Sequence, residues 1–104
     1  MRFAPDTLQR WRRLIMKRGQ TLATILSELL AGADKGPMVM AMGLTKPGMT
    51  DEEKVRAALE QVESRRRLLD ADDDRFGRCD ECGEDLGELR LGEMPWADRC
   101  AKHP

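Results

Sequence analysis

Apolar residues recur every seven positions through the first third of the chain, at Leu8, Ile15, Leu22 and Leu29, with Trp11, Ile25 and Leu26 beside them. That repeat is one stripe of an amphipathic α-helix and predicts a helix from about Pro5 to Ala31. Asp6 suits its first turn and Gly32 its end. Gly19 interrupts the pattern and costs about 1 kcal/mol against alanine.

Residues 32–50 change character. Gly32, Gly36, Pro37, Gly43, Pro47 and Gly48 break regular structure, while Met38, Met40 and Met42 alternate with Val39 and Ala41. A long connection is expected here, with the methionines packing as loop side chains. Thr50-Asp51-Glu52-Glu53 then reads as a capping box, with the Thr50 hydroxyl accepting from the Glu53 amide and Glu53 reaching back. A second helix follows, about Asp51 to Asp73, on a thinner stripe of Val55, Ala58, Leu59, Val62, Leu68 and Leu69. Glu60, Glu63 and Arg65 to Arg67 are expected on its solvated faces. The acidic run Asp70, Asp72, Asp73 and Asp74 opposes the helix dipole and should end the helix.

Two helices of similar length, each with one apolar stripe, predict an antiparallel, coiled-coil-like hairpin, each arm about 35–40 Å long. Its seam is Leu8, Ile15, Leu22 and Leu29 against Val55, Leu59, Val62 and Leu69. The chain is therefore expected to be mainly α. A helical hairpin would occupy residues 1–75, with its tip loop at 32–50, and a small C-terminal finger residues 76–104.

Composition explains why a finger is needed. The chain has 104 residues, 40% apolar, 36% charged and only 4% aromatic. So short a chain buries a limited fraction of its surface and often needs a staple. An odd count of three cysteines fits a disulfide framework poorly. No stretch approaches the roughly 18 apolar residues of a membrane span, and the N-terminus carries no address, so a cytoplasmic protein is expected.

The cysteines supply the staple. Cys79-Asp-Glu-Cys82 is followed, after seventeen residues, by Cys100-Ala-Lys-His103. Two short-spaced ligand pairs on tight turns are what a tetrahedral ion requires. Gly83, directly after Cys82, tolerates the positive φ of a tight knuckle. Three thiolates and one imidazole make a closed, soft donor set that favours one structural zinc ion over an open catalytic metal. Cys79 and Cys82 as a redox pair is the rival reading, but such pairs usually open a helix within a βαβ unit and none is visible. At the penultimate position, water or an outside ligand is the alternative to His103.

Charge limits the partners. Residues 1–50 carry eight Lys/Arg against three Asp/Glu, and residues 51–104 ten against sixteen. Residues 79–104 hold seven acids and three bases. Phosphate contacts dominate non-specific DNA affinity and need Lys/Arg, so a DNA-reading finger is disfavoured. There is no nucleophile–base pair and no phosphate-cradling loop, so enzyme chemistry is not expected.

The run Phe76-Gly77-Arg78-Cys79-Asp80-Glu81-Cys82-Gly83, continuing through Leu86, Arg90-Leu91, Pro95, Ala97 and Cys100, resembles the DksA/TraR zinc-finger proteins of bacteria. The resemblance implies a transcription regulator that binds RNA polymerase rather than promoter DNA. The hairpin would enter the secondary channel, and the finger would hold the rim. It also implies indirect dependence on ppGpp, and a monomeric protein is expected. The sequence departs from the family in three places. His103 stands where cysteine is common, and Glu93 where a small residue is usual. The acidic tip motif Asp-x-x-Asp-x-Ala is replaced by Gly36-Pro37-Met38-Val39-Met40-Ala41. Asp34 and Asp51, on either side of the tip, are the acids left to touch a partner there. A zinc-stapled interaction module with another protein target, or a thiol redox sensor, are the alternative readings.

Overall fold

A computed structural model describes residues 3–44 and 46–103. Met1 and Arg2, Thr45 of the expected tip loop and Pro104 of the expected finger lie outside the described residues. The fold is mainly helical. Helix α1 spans Pro5–Leu30, α2 Gly36–Ala41, α3 Asp51–Asp70 and α4 Glu88–Glu93. Among the described residues there is no strand, only an isolated antiparallel bridge between Arg78 and Asp85. The molecule measures 43 × 28 × 20 Å.

Helices α1 and α3 pack side by side on their apolar stripes. Ile15, Leu22 and Val55 are fully buried, Trp11, Ile25, Val62 and Leu69 nearly so, and Leu8, Leu29 and Leu59 pack against them. Gly19 sits where the helices approach: a Cβ there would meet Val62 Cγ1 at 3.3 Å. The propensity lost at this glycine is thus exchanged for close helix contact. At the open end, Arg12 reaches across to Asp70 at 3.1 Å. The expected capping box starts α3: the Glu53 amide donates to the Thr50 hydroxyl at 3.2 Å and the Thr50 amide to Glu53 Oε1 at 3.0 Å.

Three features differ from expectation. The segment 32–50 is not wholly irregular. Asp34 Oδ1 accepts the Gly36 amide at 3.0 Å, Pro37 opens α2, and Val39, only 1% exposed, pins that turn to the core. Helix α3 stops at Asp70, and Asp72 takes a left-handed φ of 54°, a conformation aspartate tolerates better than most residues. The acids at this helix end are paired with arginines: Asp70 also takes Arg66 at 3.1 Å, and Arg75 pulls the Asp73 carboxyl down to about 2 through side-chain and backbone hydrogen bonds. Lastly, Arg65 is buried rather than exposed.

The C-terminal segment folds back against the open end of the hairpin. Phe3, Trp11 and Phe76 form an aromatic cluster with ring centroids 4.9–6.4 Å apart, Phe3 edge-on to both other rings and Trp11 tilted against Phe76. Leu91 of α4 is completely buried in the same core. Arg18 of α1 stacks over Trp96 with its guanidinium carbon 4.2 Å from the ring centroid.

Candidate metal centre

Two turns build the site. In the first, the Gly83 amide donates to the Cys79 carbonyl at 2.9 Å and the Cys79 amide to the Glu84 carbonyl at 2.9 Å, which curls Cys79 and Cys82 toward one point. Gly83 has φ +73°, a region open to glycine and strained for most other residues. In the second, the His103 amide donates to the Cys100 carbonyl at 3.0 Å. The turns are sewn together by the Asp80 amide, which donates to the Asp98 carbonyl at 2.8 Å.

The result brings Cys79, Cys82, Cys100 and His103 into one cluster whose ligand atoms all lie within 4.8 Å of one another. Cys82 Sγ is 3.7 Å from Cys100 Sγ, and Cys100 Sγ is 3.3 Å from His103 Nδ1. A tetrahedral zinc with Zn–S bonds of about 2.3 Å requires sulfur–sulfur edges of roughly 3.7–3.8 Å, which the Cys82–Cys100 separation matches. Cys79 and Cys100 are buried and Cys82 is exposed.

The local electrostatics favour thiolates at Cys79 and Cys100 but not at Cys82. Burial pushes Cys79 up, but hydrogen bonds from the backbone of Cys82, Cys100 and Glu81 outweigh it and leave the thiol below its ordinary value. Cys100 is lowered in the same way: burial opposes, while the Lys102 backbone and the neighbouring thiols prevail. At Cys82 the Glu84 backbone lowers, but burial and the two adjacent sulfurs raise it above its ordinary value. Negative charge accumulating on crowded sulfurs is what a bound dication would neutralise. With four protein donors converging, the arrangement suits a closed structural site, whose chemistry is to fix the fold.

Asp34 and Asp51 are remote from this cluster in sequence and belong to the tip. The structure brings both carboxylates to Gly36, where a Cβ would lie 3.3 Å from Asp34 Oδ1 and 3.6 Å from Asp51 Oδ2. Asp34 is occupied as the cap-like acceptor of α2, and Asp51 opens α3. Beside them Met38 and Met40 stand 47% and 73% exposed.

Sequence reasoning missed Arg65 altogether. Its side chain is 3% exposed and its Nη2 donates to Asp80 Oδ1 at 2.7 Å. The available signal was its place four residues before Leu69 and three after Val62 on the apolar stripe.

The RNA polymerase-binding transcription factor DksA of Haemophilus influenzae is 38% identical to this chain over 52 residues, covering 50% of this chain and 34% of that protein. The chain therefore matches about a third of the length of that curated relative. No family model matches the chain, and no solved structure matches it.

Proposed function

We propose that this protein is a bacterial, DksA-like regulator that acts by binding RNA polymerase and not promoter DNA. One observation carries the reading: a hairpin closed by a three-cysteine, one-histidine cluster occurs in a chain 38% identical over 52 residues to a protein named for polymerase binding. Shape and charge support it. A molecule 43 Å long and 20 Å across is slender enough to present its tip to a cleft. A finger with seven acids and three bases is repelled by a phosphate backbone.

In this reading Cys79, Cys82, Cys100 and His103 hold one structural zinc. The hairpin enters the secondary channel, and the task is regulatory, without catalysis. The tip would meet the polymerase interior with Met38 and Met40 and with the flanking Asp34 and Asp51. That is a more apolar contact than the acidic family motif would make, and it makes ppGpp dependence a separate question from binding.

The test is a titration of fluorescently labelled, zinc-loaded chain with bacterial core RNA polymerase, repeated with an unlabelled secondary-channel competitor. Saturable binding that the competitor removes is expected. Absence of binding at micromolar polymerase would overturn the reading and leave a zinc-stapled module for another protein target, to which the exposed methionines would be suited.

A further inference from the structure

The metal cluster is seated on a single turn of α3. Gln61 and Arg65 are four residues apart and so share one face of that helix. Each grips a different ligand-bearing turn. Arg65 Nη2 donates to Asp80 Oδ1 at 2.7 Å, inside the Cys79–Cys82 knuckle. Gln61 Nε2 donates to Asp98 Oδ1 at 2.9 Å, two residues before Cys100. The two gripped residues are themselves joined, Asp80 amide to Asp98 carbonyl at 2.8 Å.

Arg65 is an unusual residue to find here. It is the one charged side chain buried among the described residues. Its Nε and Nη1 are enclosed without a hydrogen-bond partner, and its other contact, Ser64 Oγ, is long at 3.5 Å. A buried guanidinium is tolerated only beside a compensating anion, and Asp80 is that anion. Displacing the knuckle would leave the charge uncompensated, so the arrangement resists any movement of Asp80. Asp80 in turn lies between the first two metal ligands.

We infer that Arg65, assisted by Gln61, is a positioning residue for the metal centre: these two α3 side chains hold both ligand turns at the separation the ion needs, so zinc affinity depends on their contacts to Asp80 and Asp98. This inference rests on the zinc reading of the cluster. By linkage it works in both directions: whatever strengthens the grip strengthens the site, and metal in the site fixes the finger on α3. The partners that orient ligands from outside the coordination sphere typically change metal affinity 10- to 100-fold when removed.

The experiment uses the full chain and measures zinc affinity by competition with a chromophoric chelator. Four variants are compared: Arg65→Met, Asp80→Asn, their combination, and Ile15→Ala as a control that weakens the hairpin away from the finger. Cobalt(II) absorption reports the ligand set. Arg65→Met and Asp80→Asn are each expected to bind zinc roughly tenfold or more weakly, with the tetrahedral cobalt spectrum retained. The double variant should be no worse than the poorer single one, because both act through one contact. Ile15→Ala should leave zinc affinity within about twofold. Should Arg65→Met fail to fold, Asp80→Asn decides the matter, since the Asp80 side chain is 43% exposed and its replacement is tolerated sterically. Variants that match the wild type, or an equal loss in Ile15→Ala, would overturn the inference while the zinc reading stands. A wild-type chain that takes up no zinc would remove the zinc reading, and the inference with it.

Discussion

In the hairpin, Ile15 and Leu22 of α1 meet Val55 and Val62 of α3 between two regular helices, and none of the four is more than 5% exposed. In residues 76–103 the buried apolar side chains are Phe76, Leu91, Pro95 and Ala97, strung along turns and one six-residue helix. The first region satisfies its backbone within long helices and is stabilised by area removed from water. The second has few such resources. Its backbone bonds are tight turns around sulfur, and three of its supports come from outside, at Arg65, Gln61 and Arg18. The comparison teaches that the two halves should fail for different reasons: the hairpin through lost packing, the finger through lost ligands.

The largest effect should come from the ligands. Cys82→Ser is expected to abolish zinc uptake and unfold residues 76–103, because structural zinc supplies on the order of 10 kcal/mol of coupled folding free energy. Far-UV circular dichroism should keep most of its helical signal while hydrogen exchange in the finger becomes fast. A helical signal that collapses with the finger would show that the hairpin does not stand alone and would break the comparison.

Packing comes next. Ile15→Ala removes a fully buried side chain and should destabilise the chain by about 2–5 kcal/mol in urea denaturation, with zinc stoichiometry unchanged. Loss of zinc in this variant would mean that the two regions are one cooperative unit. His103→Ala is a smaller change to the finger. Three thiolates remain and water can take the fourth position, so zinc affinity should fall by roughly 10- to 100-fold rather than vanish. Unchanged affinity in chelator competition would remove His103 from the site.

The smallest effect belongs to the far end of α3. Thr50→Ala deletes half of the capping box and should cost about 1 kcal/mol. The same box has a pH signature. Hydrogen bonds from the Thr50 backbone and side chain hold the Glu53 carboxyl below its ordinary value of 4.5. A carboxyl lowered by folding stabilises the fold above its unfolded pKa, and that contribution disappears as pH falls through the lowered value. The wild type should therefore lose this increment of thermal stability as pH falls through the lowered value, and Glu53→Gln, which has no carboxylate to titrate, should not. An equal acid loss in both proteins would mean that the box acts without the carboxylate.

Much of this was written in the order of residues. The seven-residue repeat of α1 required a stripe, and a stripe required a partner helix. Thr50 and Glu53 fixed where that partner begins. Cys79, Cys82, Cys100 and His103 announced a four-donor cluster by spacing alone, because short-spaced pairs on turns can aim at one point whatever the rest of the fold does. These features are local, set by contacts a few residues apart or by a period that needs no neighbour to be recognised.

What the sequence could not decide depended on elements distant along the chain. Val39 lies in a glycine- and proline-rich run that reads as loop, yet it is buried in the core and its helix α2 packs against α3. Arg65 belongs by type to a solvated run of three arginines. Its burial follows from where the finger docks and from the single carboxylate that the finger brings. Gly19 appears as a defect in α1 until Val62 is found 3.3 Å from its missing Cβ. For Arg65 and Gly19 the residue's role is set by a partner 15 and 43 positions away. Side-chain periodicity reports which face is apolar, and tertiary packing alone decides what lies against it.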